Sequence, residues 1–175
     1  MQSLVALARR SRPALATALL CGSASLLLSG PAAAVDGVIE INQAGALQGI
    51  GVGTDTAGFP VTLSESGSYR LTGNLEPTGA ATDVIEVTAD DVWIDLNGFS
   101  IRGGTVCTFT PPSGAACVSG GSATRGIVAL GSLDGLVITD GIITGMTGAG
   151  VDATGSLISL QRIGLRSNGG LGVVA

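Results

Sequence analysis

The chain has 175 residues, a formal net charge of −5, no histidine, and only arginine among its eight cations. Acidity of this kind disfavours nucleic acid and anionic membrane surfaces as partners. With three cysteines and no histidine, a structural zinc site is also disfavoured, because it takes four Cys or His ligands.

Residues 1–34 read as a secretory leader. Arg9, Arg10 and Arg12 form a positive n-region, Ala14 to Leu28 is an apolar run, and Ala32-Ala33-Ala34 supplies small residues for signal peptidase. The run is short for a span of about 20 residues, so cleavage before Val35 is expected rather than anchoring. Cys21 follows Leu20, where lipidation would want a small residue. The expected product is a secreted or periplasmic protein with no stable membrane span. Its cations are Arg70, Arg102, Arg125, Arg162 and Arg166, set against 13 Asp and Glu. Cys107 and Cys117 remain, in a segment rich in Pro, Gly, Ser and Thr. In an oxidising compartment they read as one local disulfide.

Residues 35–58 carry no clear period and read as an N-terminal cap and lead-in. Val38, Ile39 and Ile41 suit a short strand or helical turn, and Asn42 to Leu47 a brief helix. From residue 59 onward the spacing predicts a repeat. Pro60 to Leu63, Ser68 to Leu71, Val84 to Val87, Val92 to Leu96 and Phe99 to Ile101 read as short strands. Val92, Ile94 and Leu96 alternate with Trp93 and Asp95, as in a half-buried strand. Gly73-Asn74 and Asn97-Gly98 mark turns, and recurring Asn at one turn suggests amides bonding from one repeat to the next. Val61 to Val84, Tyr69 to Val92, Leu71 to Ile94 and Asn74 to Asn97 share an offset of 23.

Residues 103–124 interrupt the period. Ile85 to Ile127 spans 42 residues and Val92 to Leu136 spans 44, about two repeats. An irregular repeat or an extruded loop would account for this. Pro111-Pro112 and Gly114 favour the loop, with Val106 to Phe109 able to add a short strand. The regular beat resumes at Gly126. Leu136 to Ile158, Ile138 to Leu160, Ile143 to Leu165, Gly150 to Gly172 and Val151 to Val173 all step by 22. A period near 22 with short β-type runs predicts a β-solenoid. A leucine-rich repeat would need a Leu-x-x-Leu-x-Leu frame that Leu157 to Leu165 does not hold, and a β-sandwich would not predict matches at a constant offset. The last repeat opens at Gly172-Val173-Val174 with no cap after it, as expected of a truncated piece or of an end that oligomerises.

Ala89 to Ile101 (ADDVWIDLNGFSI) resembles the first clear coil of exported bacterial right-handed parallel β-helix proteins of the pectate-lyase-like superfamily. Arg125-Gly126-Ile127 and Asn168 to Val173 resemble the Gly-apolar openings of their later coils. The resemblance covers roughly Val61 to the C-terminus. It implies an all-β chain of three parallel sheets wound into a prism. Relatives of this kind include polysaccharide lyases, hydrolases and esterases, adhesins, and proteins with no known activity.

Candidate chemistry follows from that register. If Ile85, Ile127, Val151 and Val173 point inward, Glu86, Val128, Asp152 and Val174 form an outward column. Glu86 and Asp152 would then lie roughly 9–10 Å apart, near the about 6.5–9.5 Å of inverting glycosidases; solvated surface charge is the competing reading. The calcium-dependent lyase scheme of the superfamily finds no match. Asp90-Asp91 suits a turn, and Asp95, Asp134 and Asp140 do not supply the oxygens calcium prefers. Asp140 aligns with Arg162 beside Gln161, a pattern read as a cross-repeat ion pair rather than an esterase site. No metal and no cofactor is implied. Trp93 points outward and would stack on sugar rings with Asp95 bonding hydroxyls, unless the 103–124 loop packs over it, which is the expectation. The function read from the sequence is an exported β-helix module with a structural or weakly carbohydrate-associated role, its partner a polysaccharide or cell-surface glycan. The alternatives are a fragment of a polysaccharide-active enzyme and an adhesin passenger. A non-catalytic role is favoured, because without histidine or lysine only shifted carboxylates or an unusual arginine would serve acid–base chemistry.

The exported protein is expected to begin at Val35. Intact-mass measurement checks this, and a mature species retaining Arg9 to Leu28 would overturn the secretion argument.

Overall fold

The computed structural model describes residues 37–78, 81–118, 120 and 123–175. The expected leader over residues 1–34 and its cleavage site lie outside these. The regular structure of the described residues is almost all strand, with a single short helix. Where the sequence reading gave bounds, they lie within a residue of the observed elements. β1 (Ile39–Ile41) is followed by α1 (Gln43–Gln48), whose N-cap is Asn42, with its side chain accepting from the Gly45 N–H at 2.9 Å. Then come β2 (Val61–Leu63), β3 (Gly67–Leu71), β4 (Ile85–Val87), β5 (Val92–Asp95) and β6 (Ser100–Arg102). The hairpin strands are β7 (Val106–Thr110) and β8 (Gly114–Val118). The last strands are β9 (Ile127–Ala129), β10 (Leu136–Thr144), β11 (Val151–Asp152), β12 (Ile158–Arg166) and β13 (Val173–Val174). Among the described residues no helix is long and apolar enough to cross a membrane.

All pairings except β7–β8 are parallel. One sheet runs β1-β3-β5-β10-β12, with β6 beside the second half of β10, and the other runs β13-β11-β9-β4-β2. Among the described residues there are two parallel sheets instead of the three that the family resemblance implies, and β6 joins the first through β10. β5 pairs with the first half of β10 and β6 with its second half, on either side of Asp140. Asp140 and its aligned neighbour Arg162 both take left-handed backbone, with φ of 60° and 53°. The next residue must be glycine: a Cβ on Gly141 would overlap Leu96 and come within 2.8 Å of the Phe99 carbonyl oxygen.

The core includes two inward columns. Ile94, Ile138 and Leu160 are aligned in one sheet; Ile85, Ile127, Val151 and Val173 are aligned in the other. Ile94, Ile138, Ile85, Ile127 and Val151 are fully buried, and Leu160 packs partly buried against them. Gly126 lets the strands close up here, since a Cβ would strike the Ile143 side chain and lie 2.5 Å from the Gly150 carbonyl oxygen.

The 22-residue offset expected for the last repeats holds in both sheets, as Leu136 pairs with Ile158 and Val151 with Val173. The upstream offset of 23 does not. Val61 pairs with Ile85, Tyr69 with Ile94 and Arg70 with Asp95, so the step is 24 in one sheet and 25 in the other. Of the two expected turns, Asn97-Gly98 takes left-handed angles and Gly73-Asn74 does not. The asparagines bond to neighbouring backbone rather than to one another: Asn97 Nδ2 donates to the Leu71 carbonyl, and Asn74 Oδ1 accepts from the Ser100 N–H.

The interruption is an extruded loop. β4 pairs directly with β9, and β5 with β10, so no repeat lies between them. The loop is an antiparallel hairpin in which Cys107 stands opposite Cys117, bridged by a disulfide. Its Val106, Phe109 and Val118 are exposed.

Ile138→Asp is expected to cost more than about 3 kcal/mol by burying an unpaired charge. Val118→Asp, on the exposed hairpin, is expected to cost less than about 0.5 kcal/mol. Urea unfolding of the two variants compares them, and equal losses would contradict the inward register.

Candidate functional site

Two surface patches gather the side chains singled out above. The first is a groove of about 330 Å³ on the β1-β3-β5-β10 face. Trp93 projects from β5, beside Ser68 on β3 and Val137 on β10. Two positions along the same strands, Arg70, Asp95 and Thr139 stand side by side. Val38, Ser68 and Trp93 form the less polar wall of the groove; Arg70, Asp95, Thr139 and Asp140 form the polar wall, with Tyr69 also lining it. Tyr69 is committed elsewhere, its hydroxyl donating to the Glu65 carbonyl at 2.7 Å.

Trp93 is 51% exposed, which overturns the expectation that the 103–124 loop packs over it. The hairpin of that loop pairs with itself, is tied by its own disulfide, and supplies no residue to the groove. Asp95, the other carbohydrate-contact candidate, is held from two sides. Its Oδ2 accepts from Arg70 Nε at 3.0 Å and its Oδ1 accepts from the Asn97 N–H at 2.7 Å. Asp140 accepts from Arg162 Nε and, at 2.6 Å, from Nη2. The guanidinium beside it holds Asp140 below the usual aspartate range. This is the cross-repeat ion pair expected from the 22-residue step. Arg70 was not singled out from the sequence, because the 23-residue offset sets it opposite Trp93 instead of Asp95.

The second patch contains Glu86 and Asp152. Their column is as expected, with Glu86 aligned to Val128 and Val128 to Asp152. Two side chains that the sequence reading passed over complete it. Arg125 donates from Nη1 to Asp152 at 2.9 Å, and from Nη2 and Nε to Asp83 at 2.6 and 3.0 Å. The spacing that aligns Ile85 with Ile127 also sets Asp83 against Arg125, so the pair was within reach of that register. Environment separates the two carboxyls. Burial, then the nearby Asp83 charge, pushes Glu86 up. The Arg125 hydrogen bond, aided by Thr154, pulls Asp152 down, and Arg125 itself is raised by Asp83.

Such a split suits a general acid and a general base. The geometry does not. A scissile bond reaching both carboxyls would lie over Val128, which is only 1% exposed, and Asp152 is already committed to Arg125. The patch is an ion-pair clasp tying β4, β9 and β11. Among the described residues no group of three or more His, Cys, Asp or Glu is placed to hold a metal ion. No family model, curated protein or solved structure matches this chain.

The clasp predicts opposite pH slopes. Asp152 is depressed on folding, so its contribution is present at neutral pH and lost as pH falls below the ordinary aspartate range. Glu86 is raised on folding, so stability falls as pH rises through and above the ordinary glutamate range. Asp152→Asn should therefore be less stable than the parent at pH 7, with the gap closing in acid. Glu86→Gln should gain on the parent as pH rises from acid to neutral. Urea unfolding across pH reads both, and parallel profiles for the two variants would refute the assignment.

Proposed function

We propose that this chain is an exported, right-handed parallel β-helix module that binds glycan through the Trp93 groove and performs no catalysis of its own. The observation that carries the reading is a half-exposed indole set in a groove beside hydrogen-bonding groups fixed in place by ion pairs. An aromatic face paired with oriented carboxylate and guanidinium groups is the arrangement that recognises a ring with one apolar face and a hydroxyl-bearing edge. The winding is supported by the equal 22-residue steps in two different sheets. The likeness of Ala89 to Ile101 to pectate-lyase-like coils agrees with it. Export, to the periplasm or beyond the cell, is supported by the Cys107–Cys117 disulfide and by the leader pattern.

The test is affinity electrophoresis of the parent and Trp93→Ala in gels containing soluble polysaccharides, with reducing-end release assayed on the same panel. Retardation of the parent by at least one polysaccharide is expected, reduced at least about tenfold in affinity by the substitution, with no release of reducing ends. Equal migration of the two proteins in every gel, or turnover lost in Glu86→Gln, would overturn the reading.

A further inference from the structure

We infer that the Trp93 groove takes a neutral glycan chain of more than one ring, laid across the strands, and discriminates against acidic glycans. This rests on the glycan-binding reading above. Charge is the first argument. The groove's cation, Arg70, is engaged by Asp95, and the groove's other acid, Asp140, is engaged by Arg162. Among the described residues, the guanidinium that lines the groove is already charge-matched, so a uronate or sulfate gains little net attraction there. Glu40 stands next to Arg70 in register and adds negative potential. Arg102 and Arg166 make no ion pair among the described residues. They flank Thr144, past Asp140 along β10, outside the groove. An acidic chain would be drawn there and not to Trp93.

Shape is the second argument. The groove draws on four neighbouring strands of the ladder or the residue just before one: Val38 before β1, Ser68 to Arg70 of β3, Trp93 and Asp95 of β5, and Thr139 and Asp140 of β10. Three strand spacings give about 14 Å across the strands, whereas the three residue steps along a strand from the Trp93 row to Asp140 give about 10 Å. The long dimension therefore crosses the strands. The fixed groups on the polar wall recur strand by strand, so successive rings would meet Arg70, Asp95 and Asp140 in turn, while one ring stacks on Trp93.

Trp93 is the sole tryptophan, so its emission reports on this groove alone. The full exported chain is titrated with neutral β-linked oligosaccharides of one to six rings and with oligogalacturonates of the same lengths, at low and high salt. Neutral ligands are expected to shift the emission, with affinity rising over the first about three rings and unchanged by salt. Asp95→Asn is expected to weaken binding about three- to tenfold by removing a charge-assisted acceptor. Thermal unfolding of that variant separates this from loss of its bond to the Asn97 N–H. Arg102→Gln/Arg166→Gln should leave neutral binding unchanged. Oligogalacturonate shifting the emission as strongly as the neutral ligands, with affinity lost in salt, would overturn the neutral assignment while leaving glycan binding in place. Affinity that does not rise beyond one ring would overturn the orientation. Silence of the emission towards every sugar would overturn both the inference and the function it rests on.

Discussion

A parallel ladder makes evenly spaced backbone bonds and alternates its side chains, so one register decides which atoms are dry in every strand it joins. In this protein the deciding contacts are the aligned apolar columns Ile94–Ile138–Leu160 and Ile85–Ile127–Val151–Val173. Burying each of these large side chains contributes about 1.5–3 kcal/mol. A slip of one residue would expose a column and bury Trp93, Asp95 or Asp152 in its place. The ion pairs and the groove follow from that choice. Arg70 meets Asp95, Arg162 meets Asp140, and Arg125 meets Asp83 and Asp152, because the columns beneath them are in phase.

The later repeats were legible because their step is constant. With no insertion between β10 and β12, the 22-residue offset locates the inward columns and the Asp140–Arg162 pair together. The upstream step was misread for a physical reason. Val84 and Val92 are as buried as their true counterparts Ile85 and Ile94, so a pattern of apolar positions fits an offset of 23 as readily as 24 or 25. The error was small for the fold and large for the site. It concealed Arg70, whose partner is visible only when the register is right. The glycines at 126 and 141 belong to the same class of hidden determinant. Their necessity comes from backbone and side chains of other strands, which composition does not report.

The 103–124 insertion was legible as an extrusion but not in its destination. Prolines and glycines mark a segment that cannot continue a ladder. What the segment covers depends on where its own hydrogen bonds go. β7 and β8 pair with each other and the disulfide closes them, so the hairpin stands as a separate two-stranded sheet. It keeps Val106, Phe109 and Val118 in solvent, and the indole stays half-exposed.

Charge use separates the two patches. In the clasp, Glu86 and Asp152 have diverging proton affinities, but the wall between them is closed by Val128 and one partner is tied to Arg125. Divergent carboxyl affinities are a signature of catalysis only where a substrate has room to touch both groups; here they record burial on one side and an ion pair on the other. In the groove the opposite holds. Its ions are matched, so they bring little net field, yet each retains lone pairs or N–H groups at the surface, since the Arg70 and Asp140 side chains are 48% and 36% exposed. A matched pair is held still by its partner, and a group already held still loses less freedom when a ligand arrives. The same pairing that makes these residues poor acid–base catalysts makes them good fixed contacts beside an exposed aromatic ring, and for that reason we propose binding for the Trp93 groove and structural work for the Arg125 clasp.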